Sequence, residues 1–300
     1  IISEAARGVK ITVGPPFYNQ VNVPIGLILL ALIGIGPLIA WRRATWANLK
    51  KNFQVPLIAA CIGGAGLYFI VPLTSKPEIM SYLTFLLSIF VMTCILSEFY
   101  KGTFARMDLH EETFFGALAT LIWKNKRRYG GYTVHIGTVL IFAGIAGSQA
   151  YGVNTEKHLN IGDSLEIRDY TLRYEKLAAI QATSTKTRIV AQLEVIKNGK
   201  HVWTTRPEKE FYKGQKQPVS EVDLLSTWKE DLYVILADFQ EDESATIKVY
   251  VNPMVSWIWR GGLIIAIGTV IAMWPDRQER RRRLERLKKQ ETVFSLAQQE

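Results

Sequence analysis

Only two cysteines and four histidines occur in this 300-residue chain, so its polar chemistry is sparse. Cys61 and Cys94 both lie inside apolar runs and form no CxxC, CxxCH or metal-ligand pair. That excludes a disulfide framework and covalent haem attachment to this chain, and leaves two small core residues. There is no nucleophile elbow, Walker, Rossmann or zinc pattern; the glycines of "IGGAGLYF" sit within an apolar run and suit packing. No internal repeat is visible, against the paired halves of many solute transporters. The first residue is Ile1, with no basic n-region or small-residue cleavage site after it. The expectation is a chain that begins inside a longer or processed polypeptide.

What is present points to a membrane. Hydrophobic residues make up 48% of the chain, yet 21% are charged, a mixture suited to membrane spans joined to an extramembrane domain. Five apolar stretches are candidate helices, since crossing the hydrocarbon core takes about 20 apolar residues: Val23 to Trp41, Val55 to Leu73, Ile79 to Phe99, about Tyr132 to Tyr151, and Met254 to Trp274. Trp41, Tyr100, Tyr132, Tyr151, Trp257 and Trp274 lie near their ends, where amphipathic rings favour the headgroup layer. Arg42, Arg43, Lys50 and Lys51 fill the first connection, and Lys101, Arg106, Lys124, Lys126, Arg127 and Arg128 the third. Arg277, Arg280 to Arg283, Arg286, Lys288 and Lys289 crowd the tail. Positive charge in short flanks stays cytoplasmic, so one orientation satisfies every basic flank. The net charge of +9 is thereby topogenic, and no nucleic-acid motif accompanies it.

The expected fold class is a membrane all-α bundle of five transmembrane helices with an inserted extracytoplasmic, mostly-β domain. Residues 1–21 form an extracytoplasmic segment and 22–151 a transmembrane region of four helices. Residues 152–253 form a periplasmic β-domain, 254–275 the last transmembrane helix and 276–300 a basic cytoplasmic tail. The β reading rests on "TLRYEKL", "TRIVAQLEVI", "HVWTTR", "LYVILADF" and "ATIKVYV", short runs rich in β-branched and aromatic residues. Asn198-Gly199 suits a hairpin turn with positive φ. Phe114, Phe115, Leu118, Leu121 and Ile122 share a helical face, so about 111–124 reads as an amphipathic helix on the cytoplasmic surface or packed on loops.

Among the histidines, only His135 falls within an expected span, roughly 6 Å along the helix from Gly131. Ionisable groups at that depth are costly and usually face a partner, cavity or cofactor. Gly131, Thr138, Val139, Phe142 and Ala146 share its side, a mostly apolar face of small and larger residues on which a flat macrocycle could rest. Gly137, Gly144 and Ser148 lie opposite and suit helix packing. Imidazole is a standard haem ligand, and an interhelical hydrogen bond from a neutral histidine is the competing reading. His110 in "DLHEE" has no metal-ligand spacing, His158 reads as a loop residue and His201 as a strand residue.

"NKRRYGGYTVHIG" (125–137) resembles the pattern in CcmF, the haem lyase subunit of cytochrome c-type biogenesis, where a basic run leads into a transmembrane histidine. "TVGPPFYN", "RPEKEFY", "DLYVILADF" and "VNPMVSWIWRGG" resemble further CcmF segments in order, although Glu210 stands where a basic residue is usual. The resemblance, to the C-terminal part of that family, implies a haem lyase (holocytochrome c synthase) subunit of the bacterial inner membrane. It implies attachment of haem to CxxCH thiols of apocytochrome c outside the membrane. It further implies a resident haem b with His135 as an axial ligand to its iron. The implied partners are CcmH, CcmI where present, haem-loaded CcmE, apocytochrome c, membrane lipid and quinol. The family's WWD segment, external histidines and other transmembrane histidine belong to its N-terminal portion and do not occur here, so the catalytic residues stay unassigned. Trp257, Trp259 and Arg260 are candidates for an outer entrance with a propionate contact, against simple interfacial anchoring. The alternative to a haem-handling subunit is a non-enzymatic scaffold docking cytochrome c maturation partners.

Overall fold

The computed structural model describes Gly8 and residues 14–38, 46–183, 186–215 and 217–275. Arg42, Arg43, Trp41 and the basic tail beyond residue 275 lie outside the described residues. Six helices appear among those described: α1 (Pro15–Leu38), α2 (Trp46–Tyr68), α3 (Lys76–His110), α4 (Phe114–Lys124), α5 (Lys126–Tyr151) and α6 (Val255–Met273). Ten strands among the described residues fill the chain between α5 and α6: β1 (Val153–Leu159), β2 (Ser164–Ile167), β3 (Tyr170–Thr183), β4 (Lys186–Lys197), β5 (Lys200–Thr205), β6 (Glu208–Tyr212), β7 (Val219–Glu221), β8 (Asp223–Ser226), β9 (Glu230–Phe239) and β10 (Ala245–Pro253).

Four of the helices are long and apolar enough to cross a membrane: Pro16–Gly36 within α1, α3, α5 and α6. Helix α2, which holds most of the expected second span, Val55 to Leu73, is not among them, so four of the five expected spans are borne out among the described residues. Helix α2 starts at Trp46 and takes in Lys50, Lys51 and Asn52, then stops at Tyr68, before the turn and bend that precede Pro72. Proline lacks the amide that would extend the helix. The apolar part, 55–68, is therefore only about 21 Å long. Helix α3 instead continues beyond Phe99 to His110. Arg106 donates to Glu112 at 2.7 and 2.5 Å across the turn into α4 and holds that carboxyl below its usual range.

The structure divides into two compact units, one of residues 1–62, 87–139 and 261–300, the other of 63–86 and 140–260. In the first, Gly34 of α1 lies so near Phe90 and Val91 of α3 that a Cβ would stand 2.9 Å from each. A Cβ at Gly137 of α5 would stand 2.5 Å from the Gly261 carbonyl of α6, and one at Gly130 would stand 2.7 Å from the Ala272 amide. Small residues allow such backbone approach where lipid offers no hydrophobic drive. The expected packing role of Gly137 is what the structure shows. In the second unit, Gly144 meets α6 in the same way, 2.8 Å from Ile258. Ser81 Oγ donates to the Ala146 carbonyl at 2.8 Å, joining α3 to α5.

The β-domain lies wholly in the second unit. One antiparallel sheet runs β1-β10-β9-β8, and the other β2-β3-β4-β6-β7, with β5 also paired to β4. Period-two burial builds the core: Tyr170, Leu172 and Tyr174 with Ala191, Leu193 and Val195 from one sheet, and Leu232, Val234 and Leu236 with Ile247, Val249 and Val251 from the other. Each such aliphatic side chain contributes about 1.5–3 kcal/mol on full burial. Asn198 (φ 51°) and Gly199 (φ 74°) connect β4 and β5, whose Lys197 and Lys200 pair across the turn. That is the expected primed hairpin turn. Glu210 is buried, held by Lys186 and, at 2.6 Å, by the Tyr212 hydroxyl. The Lys186 ammonium and the Tyr212 hydroxyl hold its carboxyl below the usual range, so a neighbouring strand supplies the positive charge at this place.

Candidate functional site

His135 stands in the third turn of α5, half-buried, and its Nδ1 is buried with no hydrogen-bond partner among the described residues. A desolvated polar atom left unpaired costs about 1–3 kcal/mol, so its place calls for a reason. Among the described residues no hydrogen bond to Nδ1, interhelical or other, is found. One shoulder of the His135 face is closed by Tyr132 and Val139, both buried. The other shoulder is open: a Cβ at Gly131 would meet nothing within 4 Å, and Thr138 and Phe142 are only partly covered. The opposite side of α5 carries Gly130 and Gly137 against α6. The glycines thus divide between two jobs, packing on one side and clearance on the other. A half-buried imidazole whose Nδ1 accepts or donates no hydrogen bond among the described residues, on a helix face left clear at Gly131, fits the donor type that a haem iron takes.

A polar cluster lies just below on the same face. The Arg128 guanidinium meets Glu98 of α3 at 2.5 Å and donates from Nε to the Tyr132 hydroxyl at 3.0 Å. Tyr132 in turn lies 3.5 Å from the same carboxylate. Sequence reading took Arg128 for a topogenic charge and gave Glu98, near the end of the span Ile79 to Phe99, no role of its own. The signal that could have joined them is spacing, because Arg128 precedes His135 by seven residues and so shares its helical face.

Trp257, Trp259 and Arg260 belong to the other compact unit. The Arg260 guanidinium stacks 3.8 Å over Trp228, a residue of the β8–β9 connection that sequence reading did not single out. Trp257 Nε1 donates to the Trp228 carbonyl at 3.1 Å, and the two rings lie 5.8 Å apart. Trp259 stays apart and is 77% exposed, while Arg260 Nη1 is buried without a hydrogen-bond partner among the described residues. Two of the three residues are therefore brought together, through Trp228. Beside them a pocket of about 290 Å³ is lined by Tyr170, Lys197, Trp228 and Lys229 among others. Burial works against the charge on Lys197, yet its contacts with Glu230 (2.6 Å) and Tyr170 (2.9 Å) hold its pKa above the ordinary lysine value.

The remaining histidines have local roles. His158 Nδ1 lies 3.3 Å from Thr246 Oγ1, and His201 Nε2 lies 3.2 Å from Thr204 Oγ1. His110 ends α3 exposed. No cluster of three metal-ligating side chains occurs among the described residues.

Residues 150–253 match the family described as the CcmF C-terminal beta-sandwich. Over 269 residues the chain is 27% identical to the cytochrome c-type biogenesis protein CcmF of Haemophilus influenzae, covering 89% of this chain and 40% of that protein. Over 274 residues it is 25% identical to the Escherichia coli protein of the same name, covering 91% of this chain and 39% of the other. A solved structure of "Cytochrome c Heme Lyase CcmF" superposes with a TM-score of 0.71 at 25% identity, over 87% of this chain and 41% of that one. The chain thus spans about two fifths of the relatives it matches.

Proposed function

From a chain that resembles the C-terminal part of CcmF along most of its length, we propose the C-terminal part of a haem-handling cytochrome c synthase subunit. In this reading the protein is a multi-pass subunit of the bacterial inner membrane, with its β-domain in the periplasm and its C-terminus in the cytoplasm. It works with CcmH, CcmI where present and haem-loaded CcmE to join haem to the CxxCH thiols of apocytochrome c. His135 is an axial ligand of a resident haem b, and the residues absent from this chain complete the site. Bound there, the haem would supply one-electron exchange, with quinol as the proposed electron source.

The observation that carries the reading is an imidazole whose Nδ1 has no hydrogen-bond partner among the described residues, on the helix face left clear at Gly131. The chain's own task is to hold an imidazole at a fixed depth, keep its ring free of competing donors, and exclude water with apolar neighbours. Trp257, Trp259 and Arg260 are proposed to line an outer entrance. There the buried Arg260 Nη1 offers a donor to a carboxylate.

The test is an absorption spectrum of protein solubilised from its own membrane with the chains that co-purify. A b-type band is expected in the native protein and its loss in His135→Ala. Unchanged haem per mole of His135→Ala would remove the ligand role, and retained binding of CcmH and CcmE by that variant would then favour the scaffold.

A further inference from the structure

We propose that Arg128 is the docking point for a carboxylate arm of the porphyrin held at His135, with Glu98 holding the guanidinium in readiness. This rests on the reading of His135 as a haem ligand. Arg128 precedes His135 by seven residues, so it lies on the same face of α5, roughly 10 Å along the axis. A macrocycle ligated at its centre and laid along a helix face extends about that far from iron to the end of a propionate arm. Between the two residues stands Gly131, where a side chain would meet only open space. The face therefore offers a nitrogen donor, a clear floor and then a cation, in that order.

The bonding of Arg128 supports a shared rather than a saturated role. Its Nη2 meets Glu98 and its Nε meets Tyr132, which leaves Nη1 without a partner among the described residues. The Arg128 side chain is 57% exposed, whereas that of Glu98 is 13% exposed. Here the carboxylate is sunk into the helix pair while the planar fork keeps one edge outward, the edge a second carboxylate takes in paired hydrogen bonds. Helix α5 has no acidic residue in its first turn, so an anion beside Arg128 meets no repulsion from that turn and gains from the helix N-terminus.

The experiment uses protein solubilised with its co-purifying chains and reads two quantities, haem b per polypeptide and midpoint potential at fixed pH. In Arg128→Gln we expect haem retention to fall about tenfold or more, the loss of one charge-assisted contact. The remaining haem should titrate at a lower potential, because an uncompensated carboxylate favours ferric iron. Arg128→Lys should recover part of both losses. Glu98→Gln should act oppositely, retaining haem fully and raising the potential, since it frees the guanidinium. An ion pair that only packs α3 against α5 would make the two substitutions fail in the same direction, and that result would overturn the proposal. So would native haem content and potential in Arg128→Gln. Should that variant fold poorly, Arg128→Gln with Glu98→Gln removes the unpaired buried charge and is still expected to be haem-poor; native haem content in the double variant overturns the proposal. Haem retained in His135→Ala defeats the ligand reading itself, whereas haem lost there but kept in Arg128→Gln defeats the Arg128 proposal alone.

Discussion

Replacing Gly137 by alanine adds one methyl group to a place with no room for it. The new Cβ would lie 2.5 Å from the Gly261 carbonyl oxygen, 2.7 Å from Ile265 Cγ1 and 2.9 Å from the Ile265 amide. Two of these three atoms are backbone, so no rotamer change relieves the clash, and α5 and α6 must separate by roughly 1 Å. Overpacking of that kind costs about 1–3 kcal/mol, against a gain of about 1 kcal/mol in helix propensity. Gly131→Ala gains the same propensity without the clash, because nothing lies within 4 Å of its Cβ. The two substitutions, six residues apart on one helix, should therefore differ by about 1–3 kcal/mol. That is a difference of several degrees in unfolding temperature. Thermal unfolding in detergent, followed by tryptophan fluorescence, measures it. Gly131→Leu then separates stability from binding, since it should leave the unfolding temperature near native and still displace haem from the open shoulder. Equal destabilisation by alanine at both positions would refute the division of glycines between packing and clearance.

Other consequences lie in the β-domain. Tyr174 is fully buried, its hydroxyl donates to the Glu243 carbonyl at 2.8 Å, and burial with the nearby Glu243 charge pushes its pKa to about 12. A raised folded-state value gives stability that is intact below the unfolded tyrosine pKa of ~10 and is lost as pH climbs toward about 12. The expected loss is up to about 2–3 kcal/mol, and Tyr174→Phe should flatten this alkaline slope in near-UV circular dichroism; an unchanged slope would count against it. Gly199→Ala places a Cβ at φ 74° in the β4–β5 turn and should cost about 1 kcal/mol, read as a lower denaturant midpoint, whereas Lys200→Ala beside it should cost less.

Much of the architecture was legible because it rests on patterns with a fixed period. Alternation through Val190 to Val195 and Ile247 to Val251 marks strands with one buried face, and Asn198-Gly199 marks the hairpin from β4 to β5. His135 stood out because an imidazole in an apolar run has few reasons to be there. The bounds of the second apolar helix differ from the expected ones because composition does not say where a helix begins: α2 recruits the polar residues from Trp46 onward and yields its last apolar residues to a turn. The Arg128–Glu98 pair and the place of Trp228 escaped notice for another reason. Each gains meaning only from a partner distant in sequence, such as Glu98 beside Arg128 or Arg260 over Trp228.

The antiparallel pairing of β1 with β10 sets Val153 opposite Val251. The chain thus enters and leaves the domain side by side, one strand spacing apart, about 5 Å. Ten strands hang from two adjacent threads, so the domain can lengthen, shorten or be exchanged among relatives without altering the separation at which the flanking helices must start. The sheet also acts as a spacer for its own anchors. Once β1 has zipped onto β10, Tyr151 and Val255 stand close enough to close the helical hairpin without a search.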